Sequence, residues 1–456
     1  MKTVLSLRPG RFAAHLARCA PFFHSSRQCR RERWGLAALA VLLAPVAAEA
    51  TIPPELPFIS RLGVGARPMG MAGAYTAIAD DYHALYYNPA AMTRIRDTEF
   101  GIAFDSRSVD ANTDYLGTHS NTPSDKTRLE SIGFVYPYPT YRGSLVIGLS
   151  YERIAPFDID YYRTGSGGGI RLEEESIEEI GSLGAYQAGF AWELSPQLAF
   201  GVTGTILAGT SDRRRTFDFE SADHLDREST ITNTLTDLTA ITGSLGILYR
   251  LGERADLGLT IRLPENYDLD GTIHDDVIRY QASPPETLDY IDDFNFKDEL
   301  SIPYRITAGI GYRAGDLTLA GDATFADWKE IDYYGPIRTD GREYAYRSTI
   351  DFRVGAEYSL PQQPLRLRAG YAAQPLPYEV IGVDVFGGVA SRASFDHDFR
   401  AFTVGAGLDL DESLILDAAF VSGSYQRSGR STAGVETREE VKDQRLIIGA
   451  TFKVKT

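Results

Sequence analysis

The sequence predicts an all-β protein, a transmembrane antiparallel β-barrel of about 14 strands with a small N-terminal segment in its lumen. Three observations predict it. From residue 97 onward, apolar and polar residues alternate with period two in one segment after another, the pattern of strands with a single apolar face. The connections between these segments are alternately tight and long, as in a barrel with one end in the periplasm and the other outside. Gly63 to Met92 alone reads as neither strand nor ordinary loop.

The chain opens on a segment that does not belong to the fold. Eight basic residues, from Lys2 to Arg33, precede an apolar run from Gly35 to Ala48, and Ala48-Glu49-Ala50 places small residues where a signal peptidase reads them. The run is shorter than the about 20 residues of a membrane span. Residues 1–50 are therefore expected to be a signal peptide removed after Ala50. Both cysteines, Cys19 and Cys29, fall in it, so the exported chain is expected to have no disulfide. Of 46 basic and 62 acidic residues the leader takes eight and two, and the remainder has net charge −22. So acidic a chain excludes nucleic acid as a partner.

Residues 51–96 are expected to form a separate opening domain. Gly65, Gly70 and Gly73, with Ala66, Ala72, Ala74, Ala77 and Ala79, leave few long side chains, so other backbone can approach closely. Asn88-Pro89 ends any helix, because the proline ring disfavours helical geometry in the residue before it and asparagine bonds its own local backbone. Residues 97–456 then form the wall. Ser301 to Arg313 is its clearest strand, with Ile302, Tyr304, Ile306, Ala308, Ile310 and Tyr312 expected on one face. The alternation recurs at Ile350 to Tyr358, Leu365 to Tyr371, Leu257 to Leu263 and Leu446 to Val454.

Tight turns are expected at 139–142, 195–196, 251–253, 314–315, 361–363 and 411. Long polar loops are expected at 110–126, 155–181, 212–229, 264–299, 329–344, 375–396 and 426–439. Tyr136, Tyr138, Tyr141, Trp192, Tyr249, Tyr312 and Tyr358 fall near the tight turns, where a membrane-interface girdle is expected.

These residues give the chain a resemblance to the FadL/TodX (OMPP1) family of outer-membrane transporters for long-chain fatty acids and hydrophobic compounds. It rests on the glycine-rich lead-in with Ala79-Asp80-Asp81 and Asn88-Pro89-Ala90, Ile302-Pro303 opening a strand, the strand end Asp322 to Trp328, and Leu365 to Tyr371. The resemblance implies a fourteen-stranded barrel in a Gram-negative outer membrane, with Gly70, Gly73, Asn88, Pro89 and Ala90 in a hatch. It further implies passive uptake of a hydrophobic substrate and its sideways release beside a kinked third strand, here Gly143 to Ile154. Outer-membrane lipid, lipopolysaccharide and the barrel assembly machinery are the implied partners. The terminal aromatic that such barrels favour is replaced here by Phe452 followed by Lys-Val-Lys-Thr. The alternative is a non-transporting outer-membrane barrel that serves as a secretion or assembly partner.

The alternation turns Arg262, Arg305, Arg353, Arg366, Arg368 and Arg445 inward, as candidates to hold a substrate carboxylate or as partners of lumen acids such as Asp322, Asp351 and Glu357. Ile278, Tyr280, Tyr290, Phe294 and Phe296, in the longest loop, are candidates for an outer landing surface. The acidic runs Glu173-Glu174-Glu175, Asp275-Asp276 and Asp292-Asp293 read as solvated loop surface or as sites for divalent cations. No cofactor or resident metal site is expected. The histidines beyond the leader, His83, His119, His224, His274 and His397, stand in no catalytic or metal-ligand spacing, and Asp396-His397-Asp398 is the one cluster with enzyme-like chemistry. An enzyme is not expected.

Overall fold

The computed structural model describes residues 62–167, 169–282, 285–334, 342–383, 389–431 and 436–455. The expected leader and residues 51–61 lie outside them. Two short helices come first, α1 (Ala66–Gly70) and α2 (Ala84–Tyr87), followed by a 3-10 turn at Pro89–Arg94. Strands follow in the order β1 (Thr98–Tyr115), β2 (Thr118–Tyr138), β3 (Leu145–Pro156), β4 (Ile159–Gly167), β5 (Ile170–Ser195), β6 (Leu198–Ser221) and β7 (Arg227–Leu251). The middle of the chain adds β8 (Ala255–Arg262), β9 (Glu265–Ala282), β10 (Pro285–Ile302), β11 (Arg305–Ala314), β12 (Leu317–Asp327), β13 (Asp332–Tyr334) and β14 (Arg342–Tyr346). The last part supplies β15 (Ser348–Ser359), β16 (Leu365–Gln374), β17 (Tyr378–Val383), β18 (Val389–Asp409), β19 (Leu414–Ser431) and β20 (Glu436–Val454).

Fourteen of these form a closed antiparallel wall. Its order is β1, β2, β3, β5, β6, β7, β8, β11, β12, β15, β16, β18, β19, β20. The ring shuts where Thr98 to Tyr115 of β1 pairs with Val454 to Thr437 of β20. Closure satisfies the edge N–H and C=O groups that an open sheet would expose, which a membrane-spanning sheet requires. No helix of the described residues is long and apolar enough to cross a membrane.

Faces decide the environment. Ile350, Phe352, Val354, Tyr358, Leu367, Leu446, Ile448 and Phe452 point outward and are exposed, while Asp105, Asp322, Glu357, Arg368 and Arg445 point inward and are buried. A soluble protein would reverse this; a barrel in lipid requires it. The aromatics near the tight turns follow the outer face, with Tyr138, Tyr141, Trp192, Tyr249, Tyr312 and Tyr358 all exposed.

The long connections differ from the expected loops. Residues 110–126 are a hairpin turning at Leu116-Gly117, 212–229 lengthen β6 and β7, and 264–299 form the hairpin β9–β10. Beyond the apolar band residues 110–126 and 212–229 are mostly polar on both strand faces, and 264–299 mix apolar and acidic residues on each face, so the period-two signal fades while the ladder of backbone hydrogen bonds continues. The strand expected over 300–313 is also broken. Proline has no N–H for a ladder, and at Pro303 the chain passes from β10 to β11, leaving Ile302 buried while Tyr304 is exposed. Ile302 and Tyr304 therefore do not share a face.

Candidate functional site

Residues 62–95 fill the interior. Tyr82 lies against Gly101 of β1 and Gly133 of β2, and Leu85 against Gly148 of β3 and Gly189 of β5. Ala90 meets Gly201 of β6, Asn88 meets Gly246 of β7, and Thr76 meets Gly258 of β8 and Gly309 of β11. The Tyr75 and Thr76 N–H groups both donate to Asp322 of β12 at 2.9 Å. Met71 touches Gly355 of β15 and Gly370 of β16, Gly70 touches Gly405 of β18, and α1 packs on β19 and β20. A segment this short touches every strand of a closed ring only from within it. The wall glycines make this possible: a methyl group on Gly101 or Gly133 would overlap the Tyr82 ring.

Asn88 is the polar centre of the segment and is fully buried. Its Nδ2 donates to the Thr76 carbonyl at 2.9 Å and to the Ile247 carbonyl of β7 at 3.1 Å, while its Oδ1 accepts from the Ala90 N–H at 3.1 Å. Pro89 opens the 3-10 turn, where a missing N–H costs nothing. Gly70 accepts from Thr403 at 3.1 Å, and Gly73 takes φ +76°, a turn conformation that favours glycine. The Tyr87 hydroxyl bonds both the N–H and the carbonyl of Val64 at 3.0 Å, pinning the segment's start to its last third.

All six candidate arginines lie on the inner side. Five face carboxylates: Arg305 with Glu265, Arg353 at 4.0 Å from Asp351, Arg366 with Asp409, Arg368 with Glu357 and Asp417, and Arg445 with Asp105. Arg67 of α1 joins the Arg368 group through Glu357, at 3.0 and 3.1 Å. Arg262 differs. It donates to the Tyr86 carbonyl at 2.9 Å and lies 4.4 Å over the Tyr86 ring, and no carboxylate pairs with it among the described residues.

A second clasp was not legible in the sequence. His83 Nδ1 stands 3.2 Å from Asp81, its Nε2 3.5 Å from Ser131 of β2, and its ring 3.9 Å from that of Tyr82. Glu130 and Glu152 of β2 and β3 are the other acids that act on it. Burial alone would lower His83 and raise Asp81. The facing charges and their hydrogen bond prevail, holding His83 up at about 9 and Asp81 down at about 2.

The sign of the pH dependence follows. The His83 contribution is whole below its ordinary value of 6.5 and is lost as pH rises through about 9. The Asp81 contribution is whole above 3.8 and is lost as pH falls through about 2. Hydrogen exchange of residues 62–95 is expected to accelerate above pH 9 in the native chain, after correction for intrinsic exchange. A His83→Asn chain should show little such change; equal acceleration in both would remove the clasp.

Further from the tight turns, the inner face becomes apolar. Ala185, Leu207, Ala240, Tyr267 and Leu300 sit opposite one another across β5, β6, β7, β9 and β10, and all are buried. Leu183, Leu238, Leu269, Ile302 and Trp328 extend the same cluster. Elsewhere in the wall, β3 keeps its ladder to β2 only from Leu145 to Glu152, and a bulge follows between Arg153 and Ala155. A groove of about 780 Å³ lies just below, on the outer face, lined by Phe100, Phe134, Leu149, Tyr186, Ile206 and Ile241.

Comparison with known proteins assigns this architecture. Residues 60–455 match the family model described as outer membrane protein transport protein (OMPP1/FadL/TodX). The chain belongs to this family. The likeness extends to solved structures, all at low identity, where it concerns the fold. A Pseudomonas aeruginosa FadL homologue is 16% identical with TM-score 0.62, covering 85% of this chain and 98% of its own. The P. putida toluene transporter TodX is 14% identical with TM-score 0.62, covering 87% and 99%. The Ralstonia pickettii toluene transporter TbuX is 13% identical with TM-score 0.57, covering 86% and 99%. No curated protein matches the sequence.

As a member of this family the chain is an outer-membrane transport protein, of a family of transporters rather than enzymes. Membership lends no support to the non-transporting secretion partner. Not every candidate residue keeps its expected setting. Ile278, Tyr280, Tyr290 and Phe294 are exposed on the β9–β10 hairpin, but Phe296 is buried against Gly271 and has no outer surface. Glu173 and Glu175 are not solvated loop; they are buried on β5, facing Arg163 and, for Glu175, Arg215. Among the described residues no group of three or more potential ligands is placed to hold a metal. The side chains of Asp396 and His397 lie outside the described residues.

Proposed function

We propose that this barrel takes up long-chain fatty acids or related hydrophobic compounds by passive diffusion, with residues 62–95 acting as a hatch, after removal of residues 1–50 on export. One observation supports this above the others: a broad apolar strip, from Ala185 to Leu300, occupies the interior directly beyond a segment that meets every strand of the wall. Such a lining stabilises an apolar guest by roughly 25 cal/mol per Å² buried, whereas a water-filled pore offers it nothing. The guest leaves sideways where β2 and β3 part, into the outer leaflet of the membrane. Lipid and lipopolysaccharide surround the barrel, and the assembly machinery inserts it. It performs no catalysis.

Arg262, with no carboxylate in ion-pair contact among the described residues, is the group best placed to receive an acid head group. A charge-assisted hydrogen bond contributes about 1.5–3 kcal/mol, so Arg262→Ala should weaken binding of a long-chain fatty acid about 10- to 100-fold. Binding of an alkylbenzene should barely change. Equal loss for both ligands would mean that Arg262 shapes the lining instead of holding a carboxylate.

A further inference from the structure

The ladder between β2 and β3 stops at Ser131 opposite Glu152, although β2 extends back to Thr118 and β3 forward to Pro156. Over residues 118–130 the ladder partner of β2 is β1 alone. Side chains bridge what backbone leaves open. Asp158 lies in the connection from β3 to β4 and is buried. Its carboxylate accepts from Arg128 of β2 twice, from Nε at 3.1 Å and Nη2 at 2.7 Å, and from the Gly181 N–H of β5 at 3.4 Å. It also stands 3.8 Å from Arg153 of β3, and the Asp158 carbonyl accepts from Arg107 of β1 at 3.0 Å. One residue thus ties together the four strands that flank the gap.

The two arginines on this carboxylate are not equivalent. Arg153 is 4% exposed and also bonds the fully buried Asp105 at 3.0 Å, so moving it would strand charge in a dry interior. The Arg128 side chain is 36% exposed, so water can solvate its guanidinium when it swings away. Asp158 and Arg153 form the fixed half, and Arg128 the half that can let go. Just below, the outer groove between Phe134, Leu149 and Tyr186 gives an emerging apolar molecule a surface to meet.

We propose that the Arg128–Asp158 pair is the bolt of a side opening between β2 and β3, and that its release sets the rate at which a hydrophobic guest passes from the interior into the membrane. The inference rests on the sideways release proposed above. Arg128 and Asp158 are positioning residues that act on the wall and do not hold the guest.

The test uses the whole barrel in phospholipid vesicles, loaded with a pyrene-labelled long-chain fatty acid, with affinity measured in parallel in detergent. Arg128→Met, which leaves Asp158 with Arg153 and Gly181, should speed transfer to the bilayer several-fold at unchanged affinity, and Asp158→Asn should do the same. Arg128→Lys should restore the native rate. No cysteine lies beyond Cys29, so Arg128→Cys with Asp158→Cys can be joined by a short cleavable thiol reagent. Joining should slow transfer about tenfold or more, and cleavage should reverse it. A native barrel that delivers its probe at a rate indifferent to both Arg128→Met and the bridge overturns the bolt alone. A native barrel that binds the probe and delivers none to the bilayer overturns sideways release and the bolt with it.

Discussion

Replacing Glu357 by alanine is expected to unmoor the interior segment from the wall. Glu357 on β15 accepts from Arg67 of α1 at 3.0 and 3.1 Å and from Arg368 of β16 at 2.6 Å, and it is nearly fully buried. Without it two guanidiniums face each other in the interior, with Asp80 and Asp417 left to answer them. Breaking such a buried group by removing one partner costs about 3–5 kcal/mol. The cost falls on the seat of the segment, because the wall closes through its own ladder. Hydrogen exchange of residues 62–95 should therefore speed by orders of magnitude while β1 to β20 stay protected and the barrel keeps its compact form on unheated gels. Unchanged exchange in the segment would show that Arg67 does not hold it.

Asn88→Ala is the second large effect. It strips hydrogen bonds from the Thr76 carbonyl, the Ala90 N–H and the Ile247 carbonyl, at about 1–3 kcal/mol for each buried group left without a partner. Because Gly246 lies directly beneath Asn88, the alanine side chain leaves a small void and makes no clash. The barrel should reach the outer membrane in normal amount while uptake of a long-chain fatty acid falls. Normal uptake at normal abundance would take the hatch role away from Asn88.

The wall was legible in the sequence because lipid on one side and a charged interior on the other impose period two on every strand. Ile350 to Tyr358 shows this most plainly, with Phe352 and Val354 exposed to the outside and Glu357 buried. The extensions beyond lipid were not legible. On β9 and β10 the buried face mixes Tyr267, Leu269, Leu300 and Ile302 with Glu265 and Asp298, so no clean apolar alternation marks the pairing. Pro303 hid a change of face for the same reason: composition continued through it while the ladder did not. Of the site, the inward arginines followed from parity, but which of them pair with acids depends on strands far apart in sequence, as with Arg445 and Asp105. The Asp81–His83 clasp was not legible because His83 stands in no telling spacing and Ser131 of β2 reaches it only in the fold. Asp158 was invisible for a different reason, since it matters only where a ladder is missing.

The most direct test of the account is equilibrium binding to the purified, folded barrel in mild detergent, with a long-chain fatty acid, an alkylbenzene and a sugar offered in turn. An interior lined by Ala185, Leu207, Ala240, Tyr267 and Leu300 predicts saturable binding of at least one of the two hydrophobes and none of the sugar. A folded barrel that binds neither hydrophobe, or that binds the sugar as well, would contradict it.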